Sequence, residues 1–302
     1  MSARILDGKA VSEQVLSEVQ KGIIEFRAAC AVTPSLAFIR VGENPASVVY
    51  VGAKEKICTR LGIQSQTLIL PSDASENHVL DLVKSLNQQE TVHGILVQLP
   101  LPSQICEGRV FEAIDPQKDV DGFHPLNLGK LVVGNSSGFV PCTPAGIHQL
   151  LIRSGISIPG KRVVILGRSR IVGKPMALIL SKKGAEADAT VILCHSQTAH
   201  LAELTRQADI LIAAMGCHGF VKEDMVREGV VIVDVGITRI PDASKKSGYR
   251  LVGDVDDKAI LPKASWMTPV PGGVGPMTIA MLMANTLKAA QLQMLRQHKL
   301  SQ

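Results

Sequence analysis

The sequence predicts an α/β protein of two domains, the second a doubly wound parallel sheet suited to a nucleotide. Three observations predict it. Short apolar runs alternate with helical stretches along nearly the whole chain. Four of those runs, 163–166, 190–194, 210–214 and 230–235, are rich in β-branched and small residues and recur every 20–27 positions. Finally, 302 residues, at ~150 per domain, supply roughly two cores.

The elements follow in order. Val11, Val15, Val19, Ile23 and Phe26 form a stripe at nearly i, i+4 spacing and predict a helix. Residues 36–41 read as a strand interrupted by Arg40, and 47–61 as a helix closed by Gly62. Residues 66–70 predict a strand, 75–87 a helix and 94–99 a strong strand, the βαβα rhythm of a parallel sheet. Pro and Gly dominate from Pro100 to Gly146, which reads as loops around a cleft and the passage between domains. The four apolar runs of the second domain follow, with helices in the gaps. Pro276 opens a last long helix with Ile279, Leu282, Met283, Thr286, Leu287 and Ala290 as its buried stripe, and 296–302 reads as a frayed polar tail.

Composition narrows the function. Hydrophobic residues make up 46% and charged residues 20%, as in a folded globular chain. A net charge of +5 suits a small ligand carrying phosphate or carboxylate and argues only weakly for nucleic acid. Aromatics are 3%, which leaves little surface on which single-stranded bases could stack, so no nucleic-acid partner is expected. The six cysteines stand at least 23 positions apart with no C-x-x-C pair, so they read as reduced thiols. The start Met1–Gly8 has no apolar run, and the uncharged stretches 131–152 and 266–287 are broken by Gly, Pro, Ser, Thr and Asn. No membrane span and a cytoplasmic location are therefore expected.

Five segments could carry chemistry. The sharpest is Val163 to Pro175, an apolar strand entering a G-x-S-x-x-x-G turn and then a helix. Gly167 would permit the tight turn, Gly173 a close approach, and the helix-terminal N–H groups would face a phosphate. The next strand ends Leu193-Cys194-His195-Ser196 with no carboxylate for a ribose 2′-hydroxyl. Arg168 and Ser196 suit a 2′-phosphate instead, which favours NADP over NAD. Tyr50 and Lys54, at i and i+4 on one helix, share a face. The plain alternative is an exposed face with a partly buried tyrosine. Short-chain dehydrogenases carry the same pair after their dinucleotide turn, whereas here it precedes the turn.

Gln98 ends an apolar strand at the edge where α/β sites form, although a structural amide is the commoner case. Asp119 and Asp121 share a loop ending in Gly122. Turn formation is the commoner reason for such a pair, and with no third ligand nearby a metal is rejected. Thr268 to Thr278 packs three glycines and three prolines before a helix, a loop preset for close ligand approach. His195 falls near the predicted cofactor, and Lys182-Lys183 and Lys245-Lys246 read as solvated turns.

Together these segments resemble the bifunctional methylenetetrahydrofolate dehydrogenase/methenyltetrahydrofolate cyclohydrolase family. The resemblance rests on Tyr50-x-x-x-Lys54, Val97-Gln98-Leu99-Pro100, Asp119-Val120-Asp121-Gly122, Pro141-Cys142-Thr143-Pro144, Gly167-Arg168-Ser169, Cys194-His195-Ser196 and Pro269 through Thr278. It covers nearly the whole chain in the family's order. It implies NADP-dependent oxidation of 5,10-methylenetetrahydrofolate to 5,10-methenyltetrahydrofolate, then hydrolysis to 10-formyltetrahydrofolate. Lys54 would be the central catalytic group with Gln98 beside it, Tyr50 would flank the folate ring, and Asp121 would bind the pterin N–H groups. Val97, Leu99, Pro271, Gly272, Gly273 and Gly275 would line the substrate. Gly167, Arg168, Ser169, Val172, Ser196, Ile237, Thr143 and Thr278 would contact NADP.

The family's architecture further implies a Rossmann-type NADP domain at 148–278. The folate-binding catalytic domain would be 1–147, completed by the C-terminal helix at 279–302, with the folate site in the cleft between. It also implies a homodimer formed through the cofactor domains. Two other readings stay open: an NADP-dependent dehydrogenase of another small substrate, and a non-catalytic redox sensor, against which the intact Lys54, Gln98 and Asp121 argue.

Overall fold

The structure is a computed structural model that describes residues 3–245 and 248–300. Lys246, Ser301 and Gln302 lie outside the described residues. The chain forms two compact units, one of Met1–Glu13 with Thr143–Thr278, the other of Gln14–Cys142 with Ile279–Gln302.

The second of these holds a three-stranded parallel sheet, ordered β3-β2-β4. Its strands are β2 (Ser35–Val41), β3 (Gln64–Leu70) and β4 (Gly94–Val97). Helix α1 (Gly8–Cys30) buries the whole expected stripe from Val11 to Phe26. Helix α2 (Pro45–Leu61) starts two residues before the expected Ser47, because Asn44 Oδ1 accepts from the N–H groups of Ala46 and Ser47. It stops as expected at Gly62, whose φ of 77° suits glycine. Arg40, the interruption in the apolar strand, is 6% exposed and donates to Gly42 O at 2.5 Å and to Glu43 at 2.9 Å, so its charge is satisfied inside.

Helix α3 (Glu76–Gln88) is capped by Ser75 at its start and by Lys118 at its end. The Lys118 ammonium donates to the carbonyls of Leu86, Asn87 and Gln89 at 2.7–3.0 Å. That anchor holds the chain after Lys118 along β4, where Ile95 N donates to Lys118 O at 2.8 Å. Ala37, Ile39, Val83, Leu86 and Ile95 form the core around this sheet.

The region from Pro100 to Gly146 is not all loop. It contains α4 (Glu107–Ala113), α5 (Pro125–Val132) and the start of α6 (Cys142–Arg153). The prolines misled because Pro125 and Pro144 sit in first helical turns, where no N–H is needed. The expected domain boundary at residue 147 falls inside α6, and the compact units divide at 142/143.

The other unit carries a six-stranded parallel sheet, ordered β1-β11-β8-β7-β5-β6. The four expected runs are β5 (Arg162–Leu166), β6 (Thr190–Cys194), β7 (Ile210–Ala213) and β8 (Val231–Asp234). Helices α7 (Gly173–Ser181) and α8 (Leu201–Arg206) fall in the gaps, followed by α9 (Asp257–Ile260). Sequence patterning missed β1 (Arg4–Ile5) and β11 (Trp266–Met267), each two residues long, and the hairpin β9 (Thr238–Pro241) with β10 (Tyr249–Val252). Pairing of β1 with β11 is why the N-terminal residues group with this unit.

Helix α10 (Val274–Leu300) begins two residues before Pro276 and continues through the tail read as frayed. Its expected stripe is buried except for Ile279, which is half-buried. Among the described residues no helix is long and apolar enough to cross a membrane.

Candidate active site

In the unit with the smaller sheet, α2 carries Tyr50 and Lys54 one turn apart, Tyr50 exposed and Lys54 half-buried. The Lys54 ammonium donates to Gln98 Oε1 at 3.0 Å. Strand β4 ends at Val97 rather than Leu99, so Gln98 sits just past it, tied by its backbone N–H to Ile39 O at 2.8 Å. Its Nε2 donates to Leu99 O at 2.7 Å, which turns the amide oxygen toward the lysine. Val97 is buried behind it, and the Leu99–Pro100 peptide is cis.

The two loop carboxylates, alike in the sequence, separate in the structure. Asp119 is saturated: it accepts from the N–H groups of Gly122, Phe123 and His124 and from Asn127 Nδ2, at 2.8–3.1 Å. It holds the loop together. Asp121 instead lies near the Lys54 amine and the Cys142 thiol. Burial pushes its carboxyl up to about 6, with Lys54 opposing the rise and Asp119 adding to it. Burial also draws the Lys54 amine down from the ordinary lysine range, and Asp121 only partly restores it. The result is an amine and a carboxyl brought toward each other in proton affinity.

Two groups were missed. Cys142 is buried, bonds to Val120 O at 3.3 Å and has its thiol pushed well up by burial. Asn285 on α10 donates to Val120 O at 2.8 Å and Val140 O at 3.1 Å, bracing the strand of chain that carries Asp121. Cys142 was visible within its Pro-Cys-Thr-Pro segment. Asn285, 164 positions after Asp121, had no local signal.

In the other unit, the carboxyl ends of the parallel strands share one edge. Gly167 follows β5, Ser196 follows β6 by two positions, and Ile237 follows β8 by three. Arg168, Ser169, Ser196 and Ile237 are exposed, whereas Val172 is buried at 8%. The turn has room for no side chain: a Cβ at Gly167 (φ 107°) would lie 2.2 Å from Ala214 O, and one at Gly173 would lie 1.9 Å from Gly167 O. One expectation fails. The N–H groups of Val172 and Gly173 are taken by Ser169 Oγ, at 3.1 and 3.4 Å, and that of Lys174 by Ser169 O. Those N–H groups are therefore already satisfied within the turn, while the side chains of Arg168 and Ser196 are exposed at the same edge. A bare backbone edge with an exposed guanidinium fits a phosphorylated dinucleotide.

Thr143 and Thr278 are joined hydroxyl to hydroxyl at 3.0 Å. Pro271 is exposed and follows a cis peptide, while Gly272 (φ 110°) and Gly273 are buried. A Cβ on Gly8 would come within 1.7 Å of Gly273 O, so this loop lies against the start of α1, and Gly275 has open space beside it.

A parallel sheet with a glycine turn at its carboxyl edge and a lysine set beside an amide and a carboxylate define the class: an α/β enzyme with an NAD(P)-binding domain. The chain belongs to the tetrahydrofolate dehydrogenase/cyclohydrolase family. Residues 6–121 match its catalytic domain and 141–294 its NAD(P)-binding domain. It is 55% identical to the bifunctional protein FolD of Chlorobium phaeovibrioides over 284 residues, 94% of this chain and 96% of that protein. The structure of the bifunctional FolD dehydrogenase/cyclohydrolase from Campylobacter jejuni is 48% identical with a TM-score of 0.89, covering 96% of this chain and 99% of the other. That of the Trypanosoma brucei enzyme, complexed with NADP cofactor and an inhibitor, is 37% identical with a TM-score of 0.91, covering 97% and 99%.

Proposed function

We propose that Lys54 manages the protons of a two-step folate reaction. As a member of its family the protein is a bifunctional methylenetetrahydrofolate dehydrogenase and methenyltetrahydrofolate cyclohydrolase. The observation that carries the residue assignment is the 3.0 Å contact of Lys54 Nζ with Gln98 Oε1, beside Asp121.

The first step moves a hydride and needs mainly alignment, since the amine lone pair of the substrate expels it. When bound, NADP supplies the hydride acceptor. In the second step water attacks the methenyl carbon. The neutral Lys54 amine takes the proton that water loses and returns one to the ring nitrogen as the carbon–nitrogen bond breaks, with one proton released overall. Gln98 Oε1 aims the amine, and its missing charge keeps Lys54 from being locked as a cation. Asp121, ionised above about pH 6, accepts the pterin N–H donors, and Tyr50 flanks the ring.

Arg168 and Ser196 select the 2′-phosphate of NADP, and Gly167, Ser169, Val172, Ile237, Thr143 and Thr278 shape the rest of that site. The resemblance supports a homodimer built through the nucleotide-binding unit, which light scattering on the purified protein tests. All six cysteines are free thiols, which favours the cytoplasm.

A coupled assay of both steps, run with NADP and NAD side by side, tests the reading. Methenyltetrahydrofolate absorbance appears and then decays with NADP, and NAD supports it poorly. In Arg168→Ala the preference for NADP falls by about 10- to 100-fold. An unchanged preference contradicts the phosphate assignment.

A further inference from the structure

Beyond the exposed edge residues, the nucleotide-binding unit contains a buried pair of aspartates to which the reaction assigns nothing. Asp234, the last residue of β8, is 3% exposed, and Asp254, two residues past β10, is 0% exposed. Asp234 accepts from the N–H groups of Gly236, Asp254 and Val255, at 2.9–3.0 Å. Asp254 Oδ2 accepts from Met215 N at 2.7 Å and Gly216 N at 2.9 Å. Its other oxygen, Oδ1, is buried without a hydrogen-bond partner.

These bonds join three pieces of backbone. Met215 and Gly216 follow β7, Gly236 follows β8, and 253–255 returns from the hairpin. The first two pieces are part of the carboxyl edge that the dinucleotide occupies. The packing is too close for side chains: a Cβ on Gly236 would lie 2.2 Å from Asp254 Oδ1, and one on Gly253 would lie 1.8 Å from Asp234 Oδ2. Burial pushes the Asp234 carboxyl up to about 6, with Asp254 adding to the rise, so the arrangement holds unfavourable charge in place. A buried acceptor left unpaired is costly, and neutral packing would make a simpler clasp. What the carboxylate of Asp254 secures is the orientation of two consecutive N–H groups at the end of β7.

We propose that Asp254 is a positioning residue for NADP: by holding the Met215–Gly216 backbone, beside the Gly236 N–H that Asp234 holds, it presets the sheet edge for the dinucleotide. This rests on the reading of that edge as the NADP site. Asp254 has no exposed atom to offer a ligand, so its action passes entirely through backbone. Because the second chemical step consumes no nucleotide, the cyclohydrolase rate serves as an internal control for the fold.

The test measures NADP dissociation constants by calorimetry for wild type, Asp254→Asn and Asp254→Ala, with NADP KM, folate KM and cyclohydrolase rate on the same preparations. Asp254→Asn keeps an acceptor without the charge and weakens NADP binding by about fivefold, and Asp254→Ala removes the acceptor and weakens it by about 20-fold or more. Folate KM and the cyclohydrolase rate stay within about twofold. If Asp254→Ala does not fold, Asp254→Asn alone decides. NADP binding equal to wild type in the folded variants overturns the positioning role, as does a parallel loss of NADP binding and cyclohydrolase rate. Failure of the wild-type protein itself to bind NADP overturns instead the reading of the edge on which the inference rests.

Discussion

Asp119 with Asp121 in one unit, and Asp234 with Asp254 in the other, are pairs of carboxylates set among backbone N–H groups, and in each pair one member is saturated. Asp119 accepts four donors and Asp234 three. The remaining members diverge. Asp121 lies beside an amine and a thiol and is half-buried, so its charge is available to a substrate. Asp254 is sealed and spends one oxygen on two N–H groups. In the proposed reading the same residue type serves as a substrate acceptor where a lysine shares its burial and as a scaffold where only backbone does. Burial raises both Asp121 and Asp234 to about 6, so elevated proton affinity by itself does not separate the two uses. The neighbouring Lys54 does.

The comparison breaks most visibly at Lys54. Lys54→Met lowers the cyclohydrolase rate by on the order of 1000-fold, read as decay of methenyltetrahydrofolate absorbance, and leaves the NADP dissociation constant within about twofold. Full hydrolysis in that variant removes the lysine from the chemistry. Asp121→Asn raises folate KM by about 10- to 100-fold through loss of a charged acceptor.

The pH dependence of stability sharpens the same contrast. The folded-state value of Asp121, about 6, lies above the ~4 of an unfolded chain. Between those values the folded protein keeps a proton that the unfolded chain has released, so stability from this group falls as pH rises through the window. Asp121→Asn lacks that cost, and its Tm relative to wild type rises between pH 4 and pH 7. Asp119→Asn turns an amide against groups that already donate and destabilises the fold by ~2 kcal/mol in urea unfolding. The smallest effect is expected from Gln98→Glu. A carboxylate 3.0 Å from the Lys54 amine raises the amine's proton affinity and shifts the acid limb of the cyclohydrolase profile upward by about one pH unit.

Much of this was legible in the chain. Gly62 and Ser75 marked helix ends because their roles are local, set by φ or by a hydroxyl one turn from its N–H groups. The long strands of the nucleotide-binding sheet announced themselves by composition. Strands β1 and β11, two residues each, carry no period to detect, and they exist because the larger sheet offers them a partner. Tyr50, Lys54, Gln98 and Asp121 could be singled out by residue type and setting. That Lys54 meets Gln98, and that Asp119 and Asp121 do different work, depends on side-chain direction, which spacing does not encode. The capping of α7 by Ser169 was hidden for a related reason: the G-x-S turn reads equally well as a phosphate cradle and as a self-capped helix start.

The central claim is that burial beside an uncharged amide makes the Lys54 amine easier to deprotonate than a free lysine. Its side-chain signal, followed by NMR against pH and assigned by its absence in Lys54→Met, tests this directly. The account predicts a midpoint below the ~10.4 of a free lysine, moving upward in Gln98→Glu. A midpoint at or above the ordinary lysine value would contradict it.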